Sequence, residues 1–585
     1  MPDIQTRRCA DLDLSPRTGA IAVFAFAAIF LFALAPTAPF SRELGACEAG
    51  AVRDVLAGHI ALPSFEPGVF VHVPPMYWWC AAGFARLMGM TELALRLPAL
   101  LAAALTCATL YWWLALAWSP RAGLFAAAAL LFSQFFADAA RQPRMDSMLA
   151  LFVTGAIVLI ESSISQRSGP VRLWYALASM LMFLAILTKG PLGIVLPGLA
   201  IAVFLIVKRR FKELFDPALI TCFAVSLLAG AAWYFAAYRV GGKEFFRWQV
   251  ETGLLKRFVP IGIGGAGFCQ HPFYYFVPHI LSGFLPWSLF IPAVIALVCS
   301  QSQAARSSEV RSRREALTFA GVWFAAILGL FSASTGKCLI YILPAFPPLA
   351  ALIGMTLDHL LDQEVSSSSW PRLLARIAAG IVAAAAGATV AASIAIVGAG
   401  PLLARARDLH ESDRAFLTLF ESLAKSGYLE FLIFFSLSAF ACAWIVAGLC
   451  QQRFARQIAG VMIFAAAGIL FWYGTLNPIR AAQTSLKDFA ARVDGMVPAG
   501  ATISYLGPLD CELAFVYSTH PVTHIDDPAL AGKPPSGYLI FWQDRFDSLP
   551  IESQEKFRIL ARSTAVDSHG ARLLAVPDQG DGAQN

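Results

Sequence analysis

A chain of 585 residues, 58% hydrophobic before its 43 glycines are counted and only 14% charged, lies far from soluble domains, which are about 45–50% apolar and about 25% charged. One globular core cannot take up that excess, because cores stop growing near ~250–300 residues and the remaining apolar surface would face water; a soluble enzyme is excluded. An aromatic content of 12% excludes a disordered chain. The formal charge of +6 is spread between apolar segments rather than along one stripe, so it does not point to nucleic acid.

Apolar runs long enough to cross a hydrocarbon core of about 30 Å recur along the chain. Spans are predicted near 19–38, 97–118, 122–138, 147–165, 173–188, 190–207, 217–238, 273–299, 316–333, 339–357, 374–400, 428–450 and 458–476. The expected fold is an all-α polytopic membrane protein of about 13 transmembrane helices, with 122–138 and 173–188 short for a span. With the N-terminus inside, Arg7, Arg8, Arg17, Arg121, Arg167, Arg172, the run from Lys208 to Lys212, Arg306, Arg311, Arg313, Arg314, Arg453 and Arg456 all fall on the cytoplasmic side, as the positive-inside rule requires. The first span reads as an uncleaved anchor, since no small-x-small site followed by a soluble domain succeeds it.

The predicted organisation is a cytoplasmic N-terminus over 1–18, a transmembrane domain over 19–476 with outer loops 39–96 and 239–272, and an outer C-terminal domain over 477–585. Alternation in Thr502-Ile503-Ser504-Tyr505 and in the stretch from Gly537 to Trp542, between Gly and Pro turns, makes the last a small α/β unit. In loop 39–96, stretches 48–60 and 75–90 are amphipathic, and Tyr77-Trp78-Trp79 is expected at headgroup level. Of eleven cysteines, Cys107, Cys222 and Cys442 lie in apolar runs and read as small core residues. Cys47, Cys269, Cys338 and Cys511 fall outside, where a disulfide is open but unassigned.

Cations on the outer side run against the insertion rule. Arg141, Arg144, Lys189, Arg239, Lys243, Arg247, Lys256, Arg257 and Lys337 are all there, and as a set they call for an anionic ligand at the membrane surface, although any one of them could meet a headgroup or a local acid. Carboxylates are scarcer. Loop 39–96 holds Glu43, Glu48, Asp54, Glu66 and Glu92, and Asp146 opens the fourth span. Asp146 reads either as an acid complementing a helix N-terminus or as an acid facing an outer cavity.

Taken in order, Arg141-Gln142-Pro143-Arg144-Met145-Asp146, Leu187-Thr188-Lys189-Gly190-Pro191, Lys256-Arg257-Phe258, His271-Pro272-Phe273-Tyr274-Tyr275, Gly283-Phe284-Leu285-Pro286-Trp287 and the run from Ser334-Thr335-Gly336-Lys337-Cys338 to Pro344 form a set. Over residues 15–360 it resembles the bacterial aminoarabinose lipid A transferases and their protein O-mannosyltransferase-like relatives. That family has an Asp-Glu pair early in the first outer loop and a Glu-Lys-Pro-Pro stretch near its end. Here the first place holds Ser41-Arg42-Glu43-Leu44 and the second Val71-His72-Val73-Pro74-Pro75.

The resemblance implies a C-type glycosyltransferase of the bacterial inner membrane, working on the periplasmic face with a polyprenyl-phosphate sugar as donor and a lipid A-like glycolipid, a glycan or a protein as acceptor. Such transfer needs a base for the acceptor hydroxyl, positive charge for the departing phosphate and an apolar groove for the lipid tail. Glu43 leads as base, with Glu48 second. Lys189, Arg257, Lys337, His271 and Arg141 are the candidates for the donor phosphate, with His271 read equally as a cap on the helix after Pro272. Asp146, Tyr274, Tyr275, Tyr341 and His72 are the candidates for substrate contact. No cofactor and no obligatory metal are expected, because protein cations can neutralise one departing phosphate. Gly262, Gly264, Gly265 and Gly267 lack a following Lys-Ser/Thr and are read as hinges that let loop 239–272 close, not as a nucleotide loop. The rival readings are a lipid-linked-sugar flippase and a non-catalytic assembly component.

Overall fold

The computed structural model describes residues 15–35, 48–66, 69–165, 170–255, 271–300, 308–334, 336–362, 369–403, 428–506, 512–517, 520–525, 537–564 and 570–577. Among these, ten helices are long and apolar enough to cross a membrane, or up to twelve if each of two bent pairs is one span. The 16-residue helix Leu192–Val207 occupies the remaining predicted position. The chain is a multi-pass membrane protein.

Helix starts follow local chemistry. Ser15, Ser119 and Asp216 each accept a backbone N–H two or three residues on, and each is followed by a proline in the first turn, whose missing N–H costs nothing there. The helix predicted from 97 begins earlier, at Glu92, because Thr91 caps it by accepting from the Ala94 N–H at 3.2 Å; the apolar run marks the membrane, the cap marks the helix. Two predicted single spans are broken. Pro120–Leu131 and Gln134–Arg141 meet at 67°, and Phe276–Gly283 and Trp287–Ser300 at 107°. At the second break Pro286 has no N–H to donate and restricts the residue before it.

The first outer loop is more deeply embedded than its amphipathic pattern implies. Helix Met76–Met88 packs on the bundle with Tyr77 and Trp78 fully buried, the Tyr77 hydroxyl donating to the Leu95 carbonyl at 2.6 Å. The aromatic pair expected at headgroup level is therefore core, with polar tips satisfied inside the protein; Trp79 donates to the Ile60 carbonyl at 3.0 Å.

At the end of the bundle that holds the basic loops, charges are closed off in pairs. Arg121 contacts Asp358 at 3.0 Å and also Asp362; Arg210 reaches Glu213 at 2.6 Å and Glu315 at 2.7 Å. Asp358 further accepts from the Trp118 indole and the Ser119 hydroxyl, and Glu161 from the Trp113 indole at 2.7 Å. The C-terminal part folds as a five-stranded mixed sheet. Val522–Ile525, Ile503–Leu506 and Tyr538–Trp542 are parallel neighbours, and Arg572–Pro577 and Phe557–Arg562 continue it antiparallel. Phe489 and Val493 of helix Lys487–Met496 cover one face together with Tyr505 and Ile540, and Lys487 ties the unit to Glu92 at 3.2 Å.

Small residues set the helix spacing. A Cβ on Gly354 would run into the Ala122 carbonyl and come within 2.8 Å of the Ala126 methyl, whereas one on Gly380 would meet nothing within 4 Å. Gly354→Ala is therefore expected to destabilise the detergent-solubilised chain by about 1–3 kcal/mol, while Gly380→Ala is neutral or slightly stabilising. Thermal unfolding of the two variants beside the parent measures the difference; equal midpoints would remove the close packing of these helices as a constraint.

Candidate functional site

Three chain ends converge opposite the paired basic loops. Asp146 is the first residue of helix Asp146–Ile164, Lys189 is the last residue of helix Val171–Lys189, and Ser334–Lys337 follow helix Ser308–Ala333. An acid at a helix start and a base at a helix end both complement the helix dipole. Here they also pair with each other: the Lys189 ammonium donates to the Asp146 carboxylate, whose other oxygen lies 3.3 Å from the Arg144 guanidinium. Lys189 is 9% and Asp146 3% exposed. The same ammonium lies 4.3 Å over the Tyr341 ring, and Lys337, also buried, donates to the Ser334 carbonyl at 2.6 Å.

The reversal after Lys189 depends on glycine. Gly190 takes φ +66°, and a Cβ there would stand 2.8 Å from the Tyr234 hydroxyl; Pro191 follows and opens the next helix. The loop bounds a narrow crevice lined by His72, Val73, Lys189, Tyr234, Gln249, Ser334 and Tyr341 among others. His72 stacks on Trp248 with ring centres 5.2 Å apart.

Beside this cluster sits Glu48, first residue of helix Glu48–Leu56 and 8% exposed. Burial raises its pKa to about 7, against the opposing pull of the Trp78 indole and of the Arg144 and Lys189 charges. The Trp78 N–H donates to Glu48 Oε2 at 2.5 Å, which fixes the carboxylate on the same buried face as Phe65 and His72.

The sequence-predicted residues therefore fall into groups. Lys189, Tyr341 and His72 line the crevice, with Asp146 behind Lys189 and with Lys337 and Glu48 at its side. Arg141 is buried elsewhere: it donates to the Leu34 carbonyl at 3.0 Å and lies 4.3 Å over the Tyr473 ring, bracing the first helix against the later bundle. His271 stacks on Tyr275 at 3.9 Å and Tyr275 on His279 at 4.5 Å, and Tyr274 is 60% exposed; these rings do not line the crevice. The helix near His271 begins at Phe276. Glu43, Arg257 and the glycines at 262–267 lie outside the described residues. Sequence reading passed over Gln249, Tyr234 and Trp248, uncharged residues with no motif around them; only the kink glycine Gly242 and the polar interruption after it mark the segment. It set Arg144 among the outer cations without assigning it to the site.

Comparison with known proteins agrees with this architecture. Residues 72–234 match the family model described as dolichyl-phosphate-mannose-protein mannosyltransferase. An undecaprenyl phosphate-alpha-4-amino-4-deoxy-L-arabinose arabinosyl transferase of Pseudomonas fluorescens is 28% identical over 53% of this chain and 52% of its own length, and one of Proteus mirabilis is 26% identical over 53% and 54%. The chain thus spans about half the length of the curated relatives it matches. The crystal structure of ArnT from Cupriavidus metallidurans bound to undecaprenyl phosphate superposes with a TM-score of 0.71 at 20% identity, covering 97% of this chain and 100% of that one; its apo state gives 0.72. Joined to the ordered motifs and the outer charge cluster, these likenesses show an ArnT-like fold and, over residues 72–234, a likeness to the mannosyltransferase family model.

Proposed function

We propose that this protein transfers a sugar from a polyprenyl-phosphate donor to an acceptor on the outer face of a bacterial inner membrane. The observation that carries the reading is the excess of positive charge at the crevice. Arg144 and Lys189 share the carboxylate of Asp146 there, and buried Lys337, donating to the carbonyl of the crevice-lining Ser334, adds a further cation at its side. An anionic phosphate completes that balance, and preorganised cations stabilise the charge that develops on it as the sugar leaves. In this reading the lipid tail lies along the apolar helices beside the crevice.

In this mechanism Lys189 and Lys337 hold the phosphate, with Arg144 behind them, and Asp146 holds Lys189 and Arg144 in place. A carboxylate of the first outer loop, Glu43 or Glu48, takes the proton from the acceptor hydroxyl; a pKa of about 7 suits Glu48 to that work near neutral pH. His72 and Tyr341, on the crevice wall, face the donor. The acceptor is a lipid A-like glycolipid, a glycan or a protein; the names of the curated relatives state the donor, an undecaprenyl-phosphate aminoarabinose, alone. A flippase fits less well, because the paired charges lie at helix ends rather than near the middle of the spans.

Transfer of label from a radiolabelled polyprenyl-phosphate sugar extract to membrane acceptors tests the reading. The parent is expected to transfer, and Glu43→Gln and Lys337→Ala, at equal membrane abundance, to lose most of it, by about 10²-fold or more for each. A parent that moves no label from a broad donor set would bring the flippase and assembly readings forward.

Glu48 sets a pH dependence whose sign differs between rate and stability. As a base it must be ionised, so kcat/KM is expected to rise with pH through about 7 and Glu48→Gln to remove that limb. The folded state holds this proton between the ordinary value of 4.5 and about 7 while the unfolded state releases it. The parent therefore loses stability relative to Glu48→Gln as pH climbs across that window. A pH profile that the substitution leaves unchanged would assign the limb to another group.

Because protein cations balance the phosphate, transfer is expected to persist in EDTA. Loss of activity that Mg²⁺ or Mn²⁺ restores would show instead that a divalent ion is part of the site.

A further inference from the structure

At the end of the bundle that holds the basic loops, helix Leu192–Val207 turns back into helix Pro217–Phe245 through the short 3₁₀ segment Phe211–Phe215. The first helix closes tightly: Arg209 takes φ +56°, and the Arg210 N–H returns to the Leu205 carbonyl at 2.8 Å. Glycine or asparagine usually holds that left-handed place, because a larger side chain is crowded there. An arginine retained at such a cost directs attention to its charge. Its neighbours in the basic run are occupied. Arg210 meets Glu213 and Glu315, Lys208 donates to the Thr318 hydroxyl at 3.3 Å, and Asp216 accepts from the Ala218 N–H. Arg209 and Lys212 are exposed, and among the described residues neither meets a carboxylate.

The same turn borders an apolar groove. Leu214 lines it together with Ile194, Gly198 and Ala202 of the first helix and Ile220 and Ala224 of the second. Its volume of about 490 Å³ lies within the ~300–1,000 Å³ of ligand sites. Small residues usually let membrane helices close on each other; here Gly198, Ala202 and Ala224 leave a space instead. Every lining residue is apolar, so water finds no partner in it and hydrocarbon fills it in a bilayer. Ile220, 50% exposed, stands where the groove meets lipid. Phe211 and Phe215, 52% and 74% exposed, flank Lys212, the mixture of aromatic and basic residues that lies at a membrane surface. The groove and the crevice share no lining residue.

We propose that turn and groove together bind an anionic phospholipid of the leaflet opposite the crevice, with its phosphate at Arg209 and Lys212 and one acyl chain between the two helices. Charge selects this occupant. A zwitterionic lipid would bring its own ammonium beside two cations, whereas a lipid of net negative charge gains from both. The tail of a donor whose phosphate sits at Lys189 would enter from the other end of the helix pair and would leave these cations unused.

The test uses the full chain in phosphatidylcholine nanodiscs that contain a trace of phosphatidylglycerol with a photoreactive diazirine on one acyl chain, beside phosphatidylcholine labelled in the same way. Peptide mapping of the crosslinks reads occupancy of the groove. Phosphatidylglycerol is expected to label groove residues about tenfold or more above phosphatidylcholine, near fivefold for each cation. Arg209→Gly with Lys212→Gln is expected to bring the two lipids level. Glycine suits φ +56°, so the thermal midpoint of that variant is expected to hold or rise, which separates lost binding from lost folding. Arg209→Lys with Lys212→Arg is expected to keep the preference. Ala202→Phe, which fills the groove and leaves both cations in place, is expected to cut labelling by either lipid severalfold. Equal labelling by the two lipids in the parent would overturn the proposal, as would a preference that survives removal of both cations. Displacement of the label by unlabelled polyprenyl phosphate but not by unlabelled phosphatidylglycerol would overturn it too and give the groove to the donor tail. None of these readouts involves sugar transfer, so they stand or fall apart from the glycosyltransferase reading.

Discussion

The buried contact between Asp146 and Lys189 is the constraint on which the outer end of this protein turns. It joins the start of one transmembrane helix to the end of the next. Each partner complements the dipole of its own helix, so the pair gains from two helix ends as well as from mutual attraction. Both side chains have left water, and removing one partner of such a pair typically costs about 3–5 kcal/mol because the other charge stays buried. Once the contact is made, the chain after Lys189 has one way to turn. It passes through Gly190 in a conformation that other residues adopt rarely, against the Tyr234 hydroxyl, and enters the next helix at Pro191. The crevice wall, the position of the Lys189 ammonium over Tyr341 and the approach of Arg144 follow from that turn.

Hydropathy was enough to locate the spans because the bilayer imposes one length and one polarity on every crossing. It was less informative wherever the local environment was protein rather than lipid. The helix from Glu92 begins with a cap, Thr91, that lies outside the apolar run. Two spans are bent pairs inside stretches whose hydropathy is continuous: Ser133, its hydroxyl donating to the Leu130 carbonyl at 2.9 Å, stands at the first bend, and Pro286, without an N–H to donate, at the second. Tyr77 and Trp78 have the composition of an interfacial belt, but their polar tips find Leu95 and Glu48 inside the fold. An aromatic residue with a satisfied polar tip suits either place, and the partner that decides lies 18 or 30 residues away in sequence.

The site divides along the same line. Lys189, Lys337 and Asp146 stand out in the sequence because charge at the outer end of an apolar span is expensive, and expense is visible in one dimension. Arg141 carries the same signal, but its guanidinium meets the Leu34 carbonyl and the Tyr473 ring, a structural use of charge that sequence alone cannot separate from a ligand-binding one. His72 was legible as a departure from a resembled motif, whereas its stacking on Trp248 was not, since the two are far apart in the chain. Gln249 was invisible for the opposite reason. A neutral amide carries no charge to betray it, and its bond to the Val73 carbonyl joins residues 176 apart in the chain.

The two ends of the bundle make different electrostatic choices. At the end with the basic loops, Arg121 and Arg210 each meet two carboxylates, and the Asp358 carboxylate also takes an indole and a hydroxyl proton. The charge of these two arginines is neutralised within the protein and serves packing. At the crevice, Arg144 and Lys189 share Asp146, Lys337 stands at the side on the Ser334 carbonyl, and Glu48, the next carboxylate, is pushed by burial toward its neutral form. Folding would be favoured by one more acid in that place, as at the other end. Among the described residues no such acid stands there, and an anion entering the site recovers interaction energy that these residues forgo. Asp146 prevents the excess from becoming disruptive: it holds Lys189 and Arg144 together against their mutual repulsion. A carboxylate that neutralised the remaining charge would stabilise the fold and remove the attraction for phosphate, so one acid among three bases is the composition that lets the bundle close and still bind an anion.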